Sequence, residues 1–317
     1  MNILISGAAG FIGYHLAKQL CQNKKFNVLG IDSVNGYYSK KLKKKRISLL
    51  KKNKNFFFKN TDLTNKKKSE LQINKFKPDI IYHLAGQPGV LYSFKNPQSY
   101  FKNNVLATGN LVQIAKELNI KKFIFASSSS VYGDQKKFPI KENFKLKPKN
   151  PYAITKLKSE RIIKKKFLNT EIEFIIFRFF TVYGPFGRPD MFIHKFLNSI
   201  KEKKKIFLHN SGLNYRDFTY VNDVSKILKI CLKKNLNGKI INISRCNPVR
   251  TDKLVEYILK LLKIKKVNVV KIPPVKGEML KTHGSNKKLR LFFGNIKFTE
   301  IKTGLKNTIR NFKSTGF

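Results

Sequence analysis

Asn2-Ile3-Leu4-Ile5-Ser6-Gly7-Ala8-Ala9-Gly10-Phe11-Ile12-Gly13 opens the chain, and the apolar positions after it keep helical spacing to Leu20. A short apolar strand, a loop of three glycines and a helix together form the start of a dinucleotide-binding unit. Without Cβ atoms at Gly7, Gly10 and Gly13 the backbone can approach a pyrophosphate, whose charge is favoured by N–H groups at the helix start; Phe11 and Ile12 share that turn. Asp32 ends the next strand, at about the 20-residue distance expected of a carboxylate that grips ribose hydroxyls. A carboxylate there repels a 2′-phosphate, so the expected cofactor is NAD rather than NADP. A glycine-rich turn with a capping Asp would share some of these features; the strand before it and the helix after it decide the reading.

Outward from this loop the alternation repeats. Phe26 to Ile31, Phe56 to Lys59, Ile80 to His83, Phe123 to Ser127 and Phe174 to Phe179 are β-branched and aromatic runs of strand length. Between them lie segments with apolar residues three and four apart, such as Leu106, Leu111, Ile114, Ala115 and Leu118. The rhythm predicts an α/β fold: a Rossmann doubly wound parallel sheet with crossover helices on both faces. Past Phe180, Gly184-Pro185-Phe186-Gly187 and Pro273-Pro274 break the pattern. An NAD-binding domain over 1–180 and a smaller α+β substrate-binding lobe over 181–317 are therefore expected, with part of 218–245 returning to the first domain. Open sheets take ligands at the carboxyl ends of their strands. That places Asp62 and Leu63 near the adenine, and Leu84, Ala85 and Gln87 along the nicotinamide side, while His83 reads as a packed core residue.

Composition narrows the function classes. Lys plus Arg number 66 against 18 Asp plus Glu, a net charge of +48. Such an excess invites nucleic acid or an anionic membrane surface as a partner. Yet nine of the 66 are Arg, and the lysines fall in scattered runs such as Lys43 to Lys45, Lys66 to Lys68, Lys164 to Lys166 and Lys203 to Lys205. These read as solvent faces of amphipathic helices without interleaved aromatics, so no dedicated nucleic-acid partner is expected. Cys21, Cys231 and Cys246 have neither metal-ligand spacing nor an even count, which predicts no metal site and fits a reducing cytoplasm. Ile3 to Leu20, broken by glycines, does not read as a signal peptide, and no run of 18 apolar residues predicts a membrane span.

Tyr152-Ala153-Ile154-Thr155-Lys156 sets a phenol and an ammonium at i and i+4, on one helix face. A phenol ordinarily titrates near 10, too high for a base at neutral pH, and a nearby positive charge favours its phenolate. Lys156 and the positive nicotinamide of NAD would supply that charge. Ser128, at the end of the fifth strand, can hydrogen-bond the same substrate hydroxyl.

These residues resemble the extended short-chain dehydrogenase/reductases, and among them the NAD-dependent nucleotide-sugar epimerases. Ala126-Ser127-Ser128-Ser129-Ser130-Val131-Tyr132-Gly133 is similar to that family's catalytic serine segment, and Tyr152 with Lys156 to its catalytic pair. Arg178 to Met191, Asn35-Gly36-Tyr37-Tyr38, Pro88 to Ser93 and Arg216 to Val221 are most similar to UDP-glucuronate 4-epimerases. The resemblance implies transient oxidation at the sugar C4, turnover of the 4-keto ring and return of the hydride to its other face. It implies Arg188 and Arg216 on the substrate diphosphate, a guanidinium fork suiting phosphate oxygens. It implies Thr181 and Ser129 on the C5 substituent, with Glu278 also at the substrate, and a homodimer through two helices at about 98–118 and 151–168. Arg188 and Arg216 could instead pair with Asp190 or Asp217.

The related dehydratases carry an Asp-Glu pair, and the related decarboxylases a Glu, where this chain has Ser129 and Ser130. A hydroxyl near its reference pKa cannot replace a carboxylate as general acid or base. Epimerisation is therefore the main expectation. The pattern also departs from the family at Leu91, usually Arg, at Asn222 and Ser285, usually Asp, and at Glu278, where Gly-Asp is typical. Leu91 leaves UDP-glucose or UDP-N-acetylglucosamine open as substrates. A silent basic RNA-binding or scaffolding protein on the same fold would have no need of Ser128, Tyr152 and Lys156 together.

Overall fold

A computed structural model describes residues 1–274 and 277–317. The chain runs β1 (Asn2–Ser6), α1 (Phe11–Leu20), β2 (Asn27–Asp32), α2 (Lys40–Leu50), β3 (Phe56–Asn60), α3 (Lys66–Phe76), β4 (Ile80–His83), α4 (Val90–Lys95) and α5 (Pro97–Tyr100). A π-helical turn (Phe101–Leu106) then leads into α6 (Ala107–Glu117), β5 (Lys122–Ser128), α7 (Pro151–Phe167) and β6 (Glu173–Phe179). After these come β7 (Thr181–Tyr183), α8 (Phe192–Lys201), β8 (Ile206–His209), β9 (Tyr215–Arg216), β10 (Phe218–Tyr220), α9 (Val221–Cys231) and β11 (Lys239–Ile243). The chain ends with β12 (Val249–Arg250), α10 (Thr251–Leu262), β13 (Val269–Ile272), α11 (Lys287–Phe293) and α12 (Ile301–Thr315).

Seven strands form one sheet in the order β11-β6-β5-β4-β1-β2-β3, and β1 to β6 pair in parallel. The order reverses between β1 and β4, which leaves a crevice at the carboxyl ends of those two strands. Strands buried on both faces need continuous apolar runs, and β5 is buried at every position. Its core includes Leu4, Ile81, Phe123, Phe125 and Ile176 from the sheet and Leu111, Ile114, Ile163 and Phe167 from the helices. Each such side chain contributes roughly 1.5–3 kcal/mol when fully buried.

Contacts divide the chain into two compact units: Met1–Gly133, Lys145–Phe179 and Ser225–Ile241 form the first, and Asp134–Phe144, Phe180–Val224 and Asn242–Phe317 the second. The excursion Asp134–Phe144 joins the second unit because Ile140 bridges to Gly284 and its carbonyl accepts from Asn242 Nδ2 at 3.0 Å and Ser285 N at 2.8 Å. Nothing in its sequence periodicity announces this. The second unit has its own core, with Phe196, Leu208, Leu254, Ile258, Leu305 and Phe312 at its centre. Its strands pair two by two, β7 with β10, β9 with β12 and β8 with β13. Among the described residues no helix is long and apolar enough to cross a membrane, and no three His, Cys, Asp or Glu side chains are placed to hold a metal.

Candidate active site

The first unit carries the glycine loop, the strand ends and the helix that hold the expected cofactor and catalytic residues. Gly7 N donates to Ile31 O at 2.7 Å and Gly10 N to Gly7 O at 2.9 Å, folding the loop tightly over β1. Gly7 sits at φ +75°, and a Cβ there would lie 2.7 Å from Ala85 N; at Gly13 it would lie 2.1 Å from Gly7 O. Gly10 caps α1 without a side chain, so the helix presents backbone N–H groups at its start. Phe11 and Ile12 form that first turn.

Asp32, at the end of β2, accepts from Ala9 N at 3.2 Å and Val34 N at 2.8 Å. Burial pushes its carboxyl up, against the opposing pull of Lys43, the two N–H groups and Arg46. Both of these cations are buried, so the expectation of a solvated face fails at Lys43, while Lys44 and Lys45 are exposed as expected. Lys43 Nζ donates to Asn35 Oδ1 at 2.8 Å, and Arg46 Nη1 to Ala9 O and Tyr38 Oη, each at 2.7 Å. Sequence reading missed both, since lysine-rich α2 looks polar all round; the available signal was their i, i+3 spacing beside Leu42 and Ile47. A pyrophosphate cradle that a methyl group would fill, followed by the Asp32 carboxylate at the end of the next strand, fits NAD.

The other cofactor candidates divide. Ala85 N donates to Ser6 Oγ at 3.3 Å and Leu84 N to Ser6 O at 3.1 Å, so both line the switch point of the sheet. Asp62 is exposed, and its side chain accepts from Thr64 N at 2.9 Å, a turn-capping contact. Leu63 turns its side chain into the core. Gln87 is buried, and its amide is engaged by Ser99 Oγ at 2.9 Å and Asn103 Nδ2 at 2.8 Å. Asn104, unforeseen in the sequence, accepts from Gln87 N at 2.7 Å and donates to Thr155 Oγ1 at 3.0 Å, joining the π-helical turn to α7. His83 is fully buried between Ser6 Oγ at 2.7 Å and Thr108 Oγ1 at 2.9 Å. Burial and the nearby Lys156 pull its imidazole down to about 3, so it is neutral at working pH.

Helix α7 begins with Asn150, whose Oδ1 accepts from Ala153 N at 2.8 Å, and with Pro151 in its first turn. Tyr152 follows, half-buried, its ring 6.2 Å from that of Tyr100. One turn on, Lys156 is buried and donates to Ala126 O at 2.7 Å. Burial pulls its ammonium down to about 8, partly offset by the Glu160 carboxylate. Ser128 closes β5; its Oγ donates to Ser130 Oγ at 3.1 Å and accepts from Ser130 N at 3.2 Å. Ser129 lies in the same short turn, also buried. The arrangement sets a phenol and a buried ammonium one turn apart on one helix face, residue types that can take a proton from a bound hydroxyl.

The substrate candidates Thr181, Arg188, Arg216 and Glu278 belong to the second unit. Arg188 pairs with Asp190, Nε to Oδ1 at 3.0 Å, one of the alternatives left open by the sequence. Arg216 pairs with Glu278, Nη2 to Oε1 at 2.7 Å, and not with Asp217. The buried Asp217 instead accepts from Ser244 Oγ at 2.5 Å and Gly284 N at 3.1 Å. Thr181, half-buried, begins β7.

The family model described as the NAD dependent epimerase/dehydratase family matches residues 3–244. The chain belongs to this family. Among curated members it is 36% identical over 261 residues to the UDP-glucuronate 4-epimerase of Thermodesulfobacterium geofontis, covering 82% of this chain and 80% of that one. It is 36% identical over 312 residues to an uncharacterised UDP-glucose epimerase of Bacillus subtilis, covering 98% and 97%. Among solved structures, the Bacillus cereus UDP-glucuronic acid 4-epimerase in complex with UDP-glucuronic acid and NAD superposes with a TM-score of 0.94 at 33% identity, covering 99% of each chain.

Proposed function

We propose that this member of the NAD dependent epimerase/dehydratase family is an NAD-retaining isomerase that interconverts UDP-glucuronate and UDP-galacturonate at C4. The reading rests chiefly on one contact: Lys156 donates to Ala126 O at 2.7 Å, which brings the helix of Tyr152 to the end of the strand closed by Ser128. The likeness to the Bacillus cereus enzyme over 99% of both chains supports the substrate class.

NAD, when bound, supplies a hydride acceptor that can give the hydride back. The chain's own residues do the rest. Gly7, Gly10 and Gly13 admit the pyrophosphate, and Asp32 selects the unphosphorylated ribose. Tyr152 takes the proton of the C4 hydroxyl, Lys156 favours its phenolate, and Ser128 orients the hydroxyl. The sugar is then a 4-ketone; once its ring has turned over about the diphosphate link, Tyr152 returns the proton and configuration inverts. Arg188 and Arg216 grip the diphosphate while the sugar turns. Ser129 in the first unit and Thr181 in the second are the residues that the family resemblance offers for the C5 carboxylate. With hydroxyls at Ser129 and Ser130, general acid–base elimination lacks its carboxylates, which disfavours dehydratase and decarboxylase activity.

Leu91, exposed in α4 where the family resemblance leads to an expected Arg, keeps UDP-glucose and UDP-N-acetylglucosamine open as a second reading. Incubating the protein separately with UDP-glucuronate, UDP-glucose and UDP-N-acetylglucosamine and resolving the products decides between them. A homodimer through α5–α6 and α7 is part of the proposal, supported by exposed Phe101 and Leu106 on that face of the first unit. Light scattering of the purified protein tests it. The assignment to the cytoplasm is likewise ours, and localisation of a tagged chain checks it.

A further inference from the structure

Tyr152, Lys156 and Glu160 recur every four residues along one face of α7. The first two are placed in the reaction above; the third lies against the same strand end. Lys156 Nζ donates to Ala126 O at 2.7 Å, and the next residue of β5, Ser127, donates its Oγ to Glu160 Oε1 at 2.5 Å. Arg178, opposite Ser127 in the ladder between β5 and β6, holds the same carboxylate with Nε to Oε1 at 3.0 Å and Nη2 to Oε2 at 2.8 Å. The guanidinium lies over the Tyr132 ring, 4.8 Å from its centroid. Ser127, Glu160 and Arg178 are 3%, 1% and 2% exposed, so this is a dry network directly under Ser128.

A buried ion pair of this kind is weak as a source of stability, because desolvating two charges offsets much of their attraction and an apolar group of similar volume often does as well. Its placement is what is informative. We infer that Glu160 is a positioning residue for proton transfer: its carboxylate locks the Ser127–Ser128 end of β5 to α7, and its charge keeps Lys156 in the ammonium form. The inference rests on Tyr152 and Lys156 being the proton-transfer pair. Among the described residues, the groups around Lys156 include the Ala126 carbonyl and the Phe125 ring, 4.8 Å away, from β5, neutral His83 from β4, and on its own helix Tyr152 one turn before it and Glu160 one turn after, with Arg178 and Tyr132 behind Glu160. Glu160 is the one carboxylate in this set.

The two roles separate by substitution. Ser127→Ala removes the link to β5 and leaves all charges; Glu160→Gln can keep that link but removes the charge. In the NAD-loaded protein with the UDP-sugar it turns over, Ser127→Ala is expected to lower kcat about tenfold with KM and pH profile unmoved. Glu160→Gln is expected to shift the alkaline limb of the profile to lower pH by about one unit, since the ammonium is lost sooner. If Glu160→Gln does not fold, leaving Arg178 buried and unbalanced, Glu160→Gln with Arg178→Met still predicts a smaller shift in the same direction. Lower thermal stability with kcat per NAD-loaded site and pH profile unchanged in both variants would overturn the inference. Tyr152→Phe serves as control: if it is inactive, such a result sinks the role of Glu160 alone, whereas surviving activity removes the catalytic pair and the inference with it.

Discussion

Lys156 holds its ammonium 2.7 Å from the Ala126 carbonyl oxygen with the Phe125 ring 4.8 Å from the nitrogen, a dry setting for a charge that proton transfer needs. Burial brings it down to about 8, so the ammonium is present below that pH and is lost as pH rises through it. The rate at saturating UDP-sugar is expected to fall above about pH 8. A profile flat to pH 10 would show that the charge on Lys156 is not required.

A methyl group at position 13 would sit 2.1 Å from Gly7 O, and backbone cannot yield that far without opening the loop. Gly13→Ala is therefore expected to fold yet carry less than about a tenth of the wild-type NAD, as read by absorbance and by release on acid treatment.

His83 is held near 3 by burial, against 6.5 for the ordinary group. Its folded value is depressed, so the unfolded chain binds the extra proton first. The stability it confers as a neutral residue is complete above pH 6.5 and declines as pH falls toward 3. At pH 5 the loss is about 2 kcal/mol. In denaturant titrations the stabilities of wild type and His83→Gln should diverge by about 1.6 kcal/mol between pH 6.5 and 5; parallel lines would refute the assignment.

Arg216 and Glu278 form a pair, Nη2 to Oε1 at 2.7 Å, that can present the guanidinium to a diphosphate. Arg216→Ala should raise KM for the UDP-sugar roughly ten- to hundredfold, the loss of one charge-assisted hydrogen bond of about 1.5–3 kcal/mol, with little change in kcat. A fall in kcat at constant KM would place Arg216 elsewhere in the cycle.

Strands β1, β2, β4, β5 and β6 were legible because burial writes them as largely apolar runs, and the glycine loop because backbone approach tolerates no substitute; edge strand β3, buried only at Phe56, was legible by its three phenylalanines, and β11 on the other edge was not foreseen. Tyr152 and Lys156 were legible because helix geometry makes i, i+4 a contact. What escaped depends on distant partners. Arg46 and Lys43 are buried through Ala9, Tyr38 and Asn35, contacts that a lysine-rich helix does not advertise. Gln87 faces Ser99 and Asn103 because the π-helical turn brings them to it, and periodicity alone predicts an unbroken helix there. Asp134–Phe144 joins the second unit through Asn242 and Ser285, about a hundred residues away or more.

The most direct test follows hydrogen at C4. UDP-glucuronate carrying deuterium at C4, incubated with the NAD-loaded protein beside an unlabelled UDP-sugar, should give UDP-galacturonate that keeps its deuterium, with none passed to the second molecule or to water. Label washed into solvent, label crossing between sugars, or no C4 epimer at all would contradict the account.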